Sequence, residues 1–555
     1  MLTQVLAYAG LGPNSSSQTD RGDFMITRMH KVLDLRQKAR SQRGEPQPPS
    51  ETWTQQSIAE LREQLVTRKL TPTQLLEAHI QRIETVNPAI NALVTDRFAQ
   101  ARSEAEAATT TLAQSENPSA LPPLFGIPCS IKEFIAVAGM PQTGGVLHRR
   151  GQVAAEDGTV TTRLRQAGAV ILGVTNVPEG GLWLESYNLI YGRTSNPWDV
   201  TRTSGGSSGG EGALVAAGGS VFGIGSDVGG SIRIPAAFCG TVGHKPSAGL
   251  IPNTGHYPPA TPENGYLVSG PLCRRVGDVL PILRALAGPD GLDALVPGMP
   301  AHNLAAVPSL IKDPRLVRIP QLQVHAQPLC GGVKIHAVMQ EAVLSAAQAL
   351  AQSGAQLSPE QPPRLQNVFS MWTAAMTAAN PEGYEGLLSE GGRLPVLREL
   401  LRYPLGRSRF VLPSLITVLS EAVLRRLPLK MQRFVDQAAR LKAELDELLG
   451  EHGVLLHPPY SRPAPKHNTP LWTPFDFACT ALWNILGYPV TVVPLGLSDE
   501  GLPVSVQIIA RQGNDHLTLA AAQILEQQFG GWVRAEPPPP SQPSRYAAYR
   551  PTATL

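Results

Sequence analysis

Cysteine, aromatic residues, charge and long apolar runs are all scarce in this chain of 555 residues. Its five cysteines, Cys129, Cys239, Cys273, Cys330 and Cys479, are odd in number, far apart and form no CxxC pair. Their spacing suggests neither a disulfide framework nor a zinc site, and a reducing cytoplasm is the expected compartment. No stretch reaches the ~18 apolar residues that a membrane-spanning helix needs. Residues 2–12 (LTQVLAYAGLG) lack the basic start and continuous apolar run of a secretion signal. The net charge is only +3, and no Lys/Arg block resembles a nucleic-acid-binding arm, RGDFMITRMHKVLDLRQKARSQR being the nearest approach. No nucleic-acid partner is therefore expected.

What is abundant is glycine and proline, 52 and 51 residues, in a chain that is 42% hydrophobic and 16% charged. That composition describes a loop-rich globular protein with a sizeable core, as one large domain or two intimately packed lobes. Residues 1–52 read as a polar arm with one short helix near Ile26 to Lys38, 53–532 as the main domain, and 533–555 as a Pro-rich tail. Leu75, Leu76, His79, Ile80 and Ile83 recur at helical spacing behind Thr71 as N-cap and Pro72 at the first helical position. A second helix is expected through Arg97 to Leu112. Between helical segments lie short β-branched runs, LFGIPCSIKEF, AVILGVTN, VFGIGSD, YPVTVVPLGL and VSVQIIA, bounded by Gly, Pro or Asn. The alternation predicts an α/β fold with a mixed central β-sheet covered on both faces by α-helices.

Residues 203–246 hold 13 glycines and six serines interleaved with Ala, Val, Ile and Phe, too apolar for a flexible linker. A buried helix and strand packed closely through glycine would account for that composition. The dinucleotide fingerprint fails here because GIGSDV lacks the third glycine, and no Gly-Lys pair supports a phosphate loop. Gly205 to Gly209 match GxSxG around Ser207, but no apolar strand precedes them, and the SxxK match at Ser309 lacks its companion elements.

In DVGGSIR, two glycines ahead of Ser231 allow consecutive N–H groups to converge as an anion-binding nest. Such donors can contribute ~3 kcal/mol each when aimed at a developing oxyanion. The serine still needs a base. His244 has no carboxylate nearby in sequence, and a lone histidine is more often structural. Lys132 lies in the apolar run LFGIPCSIKEFIAV, where burial would release its proton. From the residues alone, a lysine paired with Glu133 or placed on a surface loop is the commoner case.

The run GGSSGGEGALVAAGGSVFGIGSDVGGSIRIPAAFCGTVGHKPS resembles the diagnostic segment of the amidase signature family. PLFGIPCSIKEF is similar to that family's lysine loop, and TNVPEGGLWLES, GRTSNPWD, SGPLCRRVGDV, LGYPVTVVPLG and LPVSVQIIA extend the likeness over residues 55 to 530. ESYNLIYGR, FACTALWNILG and GNDHLTLAAAQILEQQFGGWV resemble the fatty-acid amide hydrolases within it, notably the second animal type. The resemblance implies a serine hydrolase of the amidase signature fold that cleaves amides through an acyl-enzyme. Its triad would fall on Lys132 as base, Ser207 as relay and Ser231 as nucleophile. The amides of Val228, Gly229, Gly230 and Ser231 would form the oxyanion hole. It implies a cis peptide between Gly206 and Ser207, support from Ser204 and Ser208, bracing by Asp227 and Arg233, and no metal or cofactor.

Residues 394–435 combine apolar side chains with many arginines and few acids, which the resemblance reads as a basic amphipathic cap for membrane contact and lipid entry. An ordinary helical hairpin covering the core fits equally. Apolar acyl amides are the expected substrates, with esters, anilides and carbamates as side substrates. The glutaminase-like component of a tRNA-dependent amidotransferase and a non-catalytic lipid-binding protein are the alternatives. Peripheral membrane contact and homodimerisation stay open.

Overall fold

Short β-branched runs bounded by glycine and proline become strands of one large sheet in the computed structural model, which describes residues 49–259, 265–296, 311–379, 382–389, 391–424 and 428–539. In chain order they are β1 (Leu93–Asp96), β2 (Pro128–Lys132), β3 (Val170–Thr175), β4 (Phe222–Asp227), β5 (Val242–Lys245) and β6 (Val268–Cys273). β7 (Gln323–Ala326), β8 (Gln356–Leu357), β9 (Gly453–His457), β10 (Val490–Leu497) and β11 (Pro503–Ala510) complete the set. The eleven strands lie in the order β1-β3-β2-β4-β6-β5-β10-β11-β9-β7-β8. β2 pairs in parallel with β3 and β4, and β7 with β8 and β9, while the other neighbours are antiparallel. This is the mixed α/β sheet that the sequence pattern predicts.

The five apolar runs singled out in the sequence correspond to β2, β3, β4, β10 and β11, and every residue of β2, β3, β4 and β11 is buried. The first expected helix spans Pro72–Ile90. Thr71 Oγ1 accepts from the Gln74 amide at 3.2 Å, and Gln74 Oε1 accepts from the Thr71 amide at 3.0 Å. Such a cap contributes ~1 kcal/mol by satisfying otherwise orphaned donors. Leu75, Leu76, Ile80 and Ile83 line its buried face, and His79 is buried with Nδ1 3.2 Å from the Gly219 carbonyl. The second helix covers Phe98–Gln114. The expected helix near Ile26 to Lys38 lies outside the described residues. At the other end, Arg534 pairs with Glu51 and Glu536, and the Ala535 amide donates to Ala216 at 2.9 Å.

The glycine-rich segment folds as helix Gly209–Ala216, strand β4 and helix Arg233–Cys239, all buried. Glycine is required where helix meets strand. A Cβ on Gly223 would collide with the Glu211 carboxylate, and one on Gly225 would lie 2.7 Å from Ser208 Oγ. The absence of side chains there seats the Ser207–Ser208 turn directly against the end of β4.

Candidate active site

Three chain segments converge at the C-terminal ends of the neighbouring parallel strands β2 and β4. Lys132 is the last residue of β2, Asp227 ends β4 and leads into the turn carrying Ser231, and Ser207 lies two residues ahead of the helix Gly209–Ala216, next to its N-cap Ser208. Lys132 is fully buried, with Nζ 2.7 Å from Ser207 Oγ, 3.0 Å from Ser226 Oγ and 3.2 Å from the Ser226 carbonyl. Glu133 is not its partner, because that carboxylate accepts hydrogen bonds from Thr143, Gly144 and Tyr191. Burial pulls the Lys132 ammonium down to about 7, against the opposing fields of Asp227 and Glu211. The side chain is therefore available as a neutral amine near neutral pH.

The hydrogen-bond directions around this amine follow from His256. The Pro258 carbonyl, 2.7 Å from Nδ1, can only accept, so Nδ1 carries the proton. Burial keeps the ring neutral, its ionisation lowered to about 3, which leaves Nε2 as an acceptor. Ser226 donates to it at 2.9 Å and accepts in turn from Lys132. A neutral Lys132 thus directs its two N–H groups at the Ser226 hydroxyl and carbonyl. Its lone pair faces Ser207.

Ser231 is buried at 8% exposure, slightly more open than Ser207 at 3%. The Ser208 amide donates to the Ser231 carbonyl at 3.1 Å, tying the two serine segments together, and Ser208 Oγ donates to the Ser226 carbonyl at 3.2 Å. The Gly206–Ser207 peptide is cis. A Cβ on Gly206 would lie 2.6 Å from the Trp183 carbonyl, so the turn has room only for glycine. Ser204, expected to support the relay, instead has a buried hydroxyl without a hydrogen-bond partner among the described residues, and its carbonyl accepts from the Cys239 thiol at 3.4 Å.

The turn after β4 is held by Asp227. Its carboxylate accepts from the amides of Gly230 at 2.7 Å and Ile232 at 3.0 Å and from Arg233 Nη2 at 2.8 Å, both charged partners being fully buried. Although burial opposes ionisation, Arg233 and these amides hold the Asp227 carboxyl well below the usual carboxylate range. The Gly230 amide, expected in the oxyanion hole, therefore points to Asp227 instead. The amides of Val228, Gly229 and Ser231 have no acceptor among the described residues. Gly230 itself has φ +129°, a conformation open to glycine, with Thr480 packed where a Cβ would be.

Sequence reasoning missed the groups that fix this turn from a distance. Trp372 Nε1 donates to the Val228 carbonyl at 2.8 Å, Thr480 Oγ1 to the Gly229 carbonyl at 2.7 Å, and Asn484 Nδ2 to the Asp227 carbonyl at 2.9 Å. Trp372 also belongs to an aromatic cluster, 5.0 Å from Phe477, with Phe369 4.8 Å from Phe475. His244, which had no companion in sequence, lies 3.3 Å from Asp515 and 2.9 Å from Thr491, buried in the sheet. Thr480 and Asn484 fall in the FACTALWNILG run, which carries the family resemblance but gives no sign of these contacts.

The amidase family model matches residues 74–519. Fatty-acid amide hydrolase 2 of Homo sapiens is 39% identical over 504 residues, covering 88% of this chain and 92% of that protein. Acylamidase of Rhodococcus erythropolis is 32% identical over 486 residues, covering 85% of this chain and 94% of that protein. Among solved structures, a bacterial aryl acylamidase superposes with a TM-score of 0.69 at 26% identity, covering 85% of this chain and 96% of that one.

Proposed function

Since this chain belongs to the amidase signature family and is an amide-cleaving hydrolase, we propose that it hydrolyses apolar acyl amides through a Ser231–Ser207–Lys132 relay. The observation that carries the reading is the buried Lys132 amine, 2.7 Å from Ser207 and shifted to about 7. Neutral Lys132 accepts the Ser207 proton while Ser207 accepts the proton of Ser231. The Ser231 oxygen then bonds to the substrate carbonyl carbon. The amides of Val228, Gly229 and Ser231 receive the developing oxyanion. Returning the proton through the relay expels the amine, and water attacks the acyl-Ser231 ester by the same route.

The aromatic cluster of Trp372, Phe369, Phe475 and Phe477 next to the nucleophile turn favours an apolar acyl or aryl group. Esters, anilides and carbamates pass through the same type of tetrahedral intermediate and are proposed side substrates. The helices Val396–Arg402 and Leu412–Leu424 expose Leu397, Leu401, Ile416 and Leu419, with Arg398, Arg407 and Arg409 exposed nearby. That surface supports peripheral contact with an anionic bilayer. No helix among the described residues is long and apolar enough to cross a membrane.

The test is a panel of fatty-acyl, aryl-acyl and short amides with the purified protein and a Ser231→Ala blank. Turnover of long acyl or aryl amides well above acetamide supports the substrate reading. Turnover confined to acetamide and glutamine overturns it and favours a glutaminase-type role.

A further inference from the structure

The cysteines that are isolated in sequence do not all stay isolated in space. Cys330 lies in the loop after β7, His457 is the last residue of β9, and Cys479 is on the helix Ala478–Ile485. One ligand atom from each, two sulfurs and one imidazole nitrogen, lies within 4.8 Å of the others. All three residues are buried, Cys330 at 3% exposure and the other two at 0%.

A second observation comes from the imidazole. The Gln327 carbonyl is 2.7 Å from His457 Nδ1 and can only accept, so Nδ1 carries the proton and Nε2 presents its lone pair. Nε2 is buried and makes no hydrogen bond among the described residues. Trp483 packs edge-on against the ring at 5.8 Å and fixes its plane. A histidine oriented by a backbone carbonyl, with its opposite nitrogen free of hydrogen bonds and two thiols within reach of the ring, has the arrangement of a metal ligand with its outer-shell partner in place.

We propose that Cys330, His457 and Cys479 form a binding site for a thiophilic divalent cation such as zinc or cadmium. Metal–sulfur bonds of about 2.3 Å and a metal–nitrogen bond of about 2.0 Å fit this triangle after small side-chain adjustments. Binding releases two thiol protons to solvent. The resulting pair of thiolates neutralises the dication, so the occupied site carries no net charge into the interior. Three protein ligands leave a fourth position for water. The route in is the turn around Cys330, where Leu329 is 48% exposed. The site is separate from the relay, although Cys479 adjoins Thr480, which braces the nucleophile turn.

Cadmium titration of the reduced full chain tests the proposal. The expected result is one cadmium per chain with a sulfur-to-cadmium charge-transfer band, displaced by zinc. Cys330→Ser and His457→Gln should each weaken binding at least tenfold, and Cys129→Ser, at a buried thiol elsewhere, should leave it unchanged. Absence of the band at saturating cadmium, or wild-type affinity in both Cys330→Ser and His457→Gln, would overturn the site. Should a variant not fold, alkylation of Cys330 in the wild-type protein decides: zinc slows it severalfold if the site exists, and an unchanged rate refutes it.

Discussion

His256 Nε2 accepts a hydrogen bond from the Ser226 hydroxyl at 2.9 Å, and this contact sets the direction of every other hydrogen bond around Lys132. With the Ser226 proton committed to His256, its oxygen can only accept from the lysine. Lys132 then has its lone pair left for Ser207. In the proposed relay His256 is accordingly a positioning residue, acting through Ser226 on Lys132 without touching it. His256→Leu should lower kcat about tenfold, a fraction of what a general base contributes, with KM nearly unchanged. His256→Gln, which can still accept from Ser226, should retain most of the rate. Equal kcat in wild type and His256→Leu would contradict this role.

With Lys132 as the proposed base, its ionisation should fix the acid limb of the pH profile. In the proposed relay the base is the neutral amine, so the proton must leave before acylation can proceed. As pH rises through about 7, kcat/KM should climb with unit slope and then level off. Lys132→Arg, which stays charged across this range, should show no such plateau and little activity. A wild-type profile flat between pH 5 and pH 9 would remove Lys132 as the titrating base.

Asp227 and Arg233 are both fully buried and pair at 2.8 Å. Removing one partner strands the other, at a typical cost of about 3–5 kcal/mol. Asp227→Asn should therefore lower the denaturant midpoint markedly and also reduce turnover, because the Gly230 amide and the nucleophile turn lose their anchor. A loss of stability below about 1 kcal/mol would mean the pair is dispensable. Replacing both partners, as in Asp227→Asn with Arg233→Met, should recover part of the stability and none of the activity.

Trp372 braces the turn and belongs to the aromatic cluster proposed to receive the acyl or aryl group. Trp372→Phe keeps the ring and loses the hydrogen bond to Val228, so kcat should fall for every substrate. Trp372→Ala should in addition reduce kcat/KM for long acyl or aryl amides roughly tenfold relative to acetamide, in line with ~1–3 kcal/mol for apolar contacts in a pocket. Parallel losses for short and long substrates in Trp372→Ala would place the aromatic cluster outside the acyl site.

The parts of the fold legible in the sequence are those whose signal is local. Val170–Thr175, Val490–Leu497 and Pro503–Ala510 are β-branched runs with glycine, proline or asparagine at their borders, and they are strands. Val242–Lys245 (VGHK) and Leu93–Asp96 (LVTD) carry no such signal, being short and partly polar, and become strands only because neighbours pair with them. The segment carrying Ser207 and Ser231 was visible because close helix-to-strand packing at Gly223 and Gly225 demands glycine, which leaves a pattern, whereas Lys132 stood out only through the family resemblance. His256, Trp372, Thr480 and Asn484 left none, since each reaches the site by one hydrogen bond from a distant segment. The same limit hid the Asp515 partner of His244 and the meeting of Cys330 with Cys479. Ser204 shows the opposite limit: its nearness in sequence to Ser207 suggests support for the relay, yet its hydroxyl has no partner among the described residues.

Ser231 as the attacking nucleophile is the central claim, and intact-protein mass after exposure to a fluorophosphonate probe tests it most directly. The wild-type chain should gain one adduct, mapped to Ser231, at a rate that falls as pH drops below about 7. Ser231→Ala should gain none while remaining folded. Undiminished labelling of Ser231→Ala, or an adduct mapped to another serine, would contradict the account.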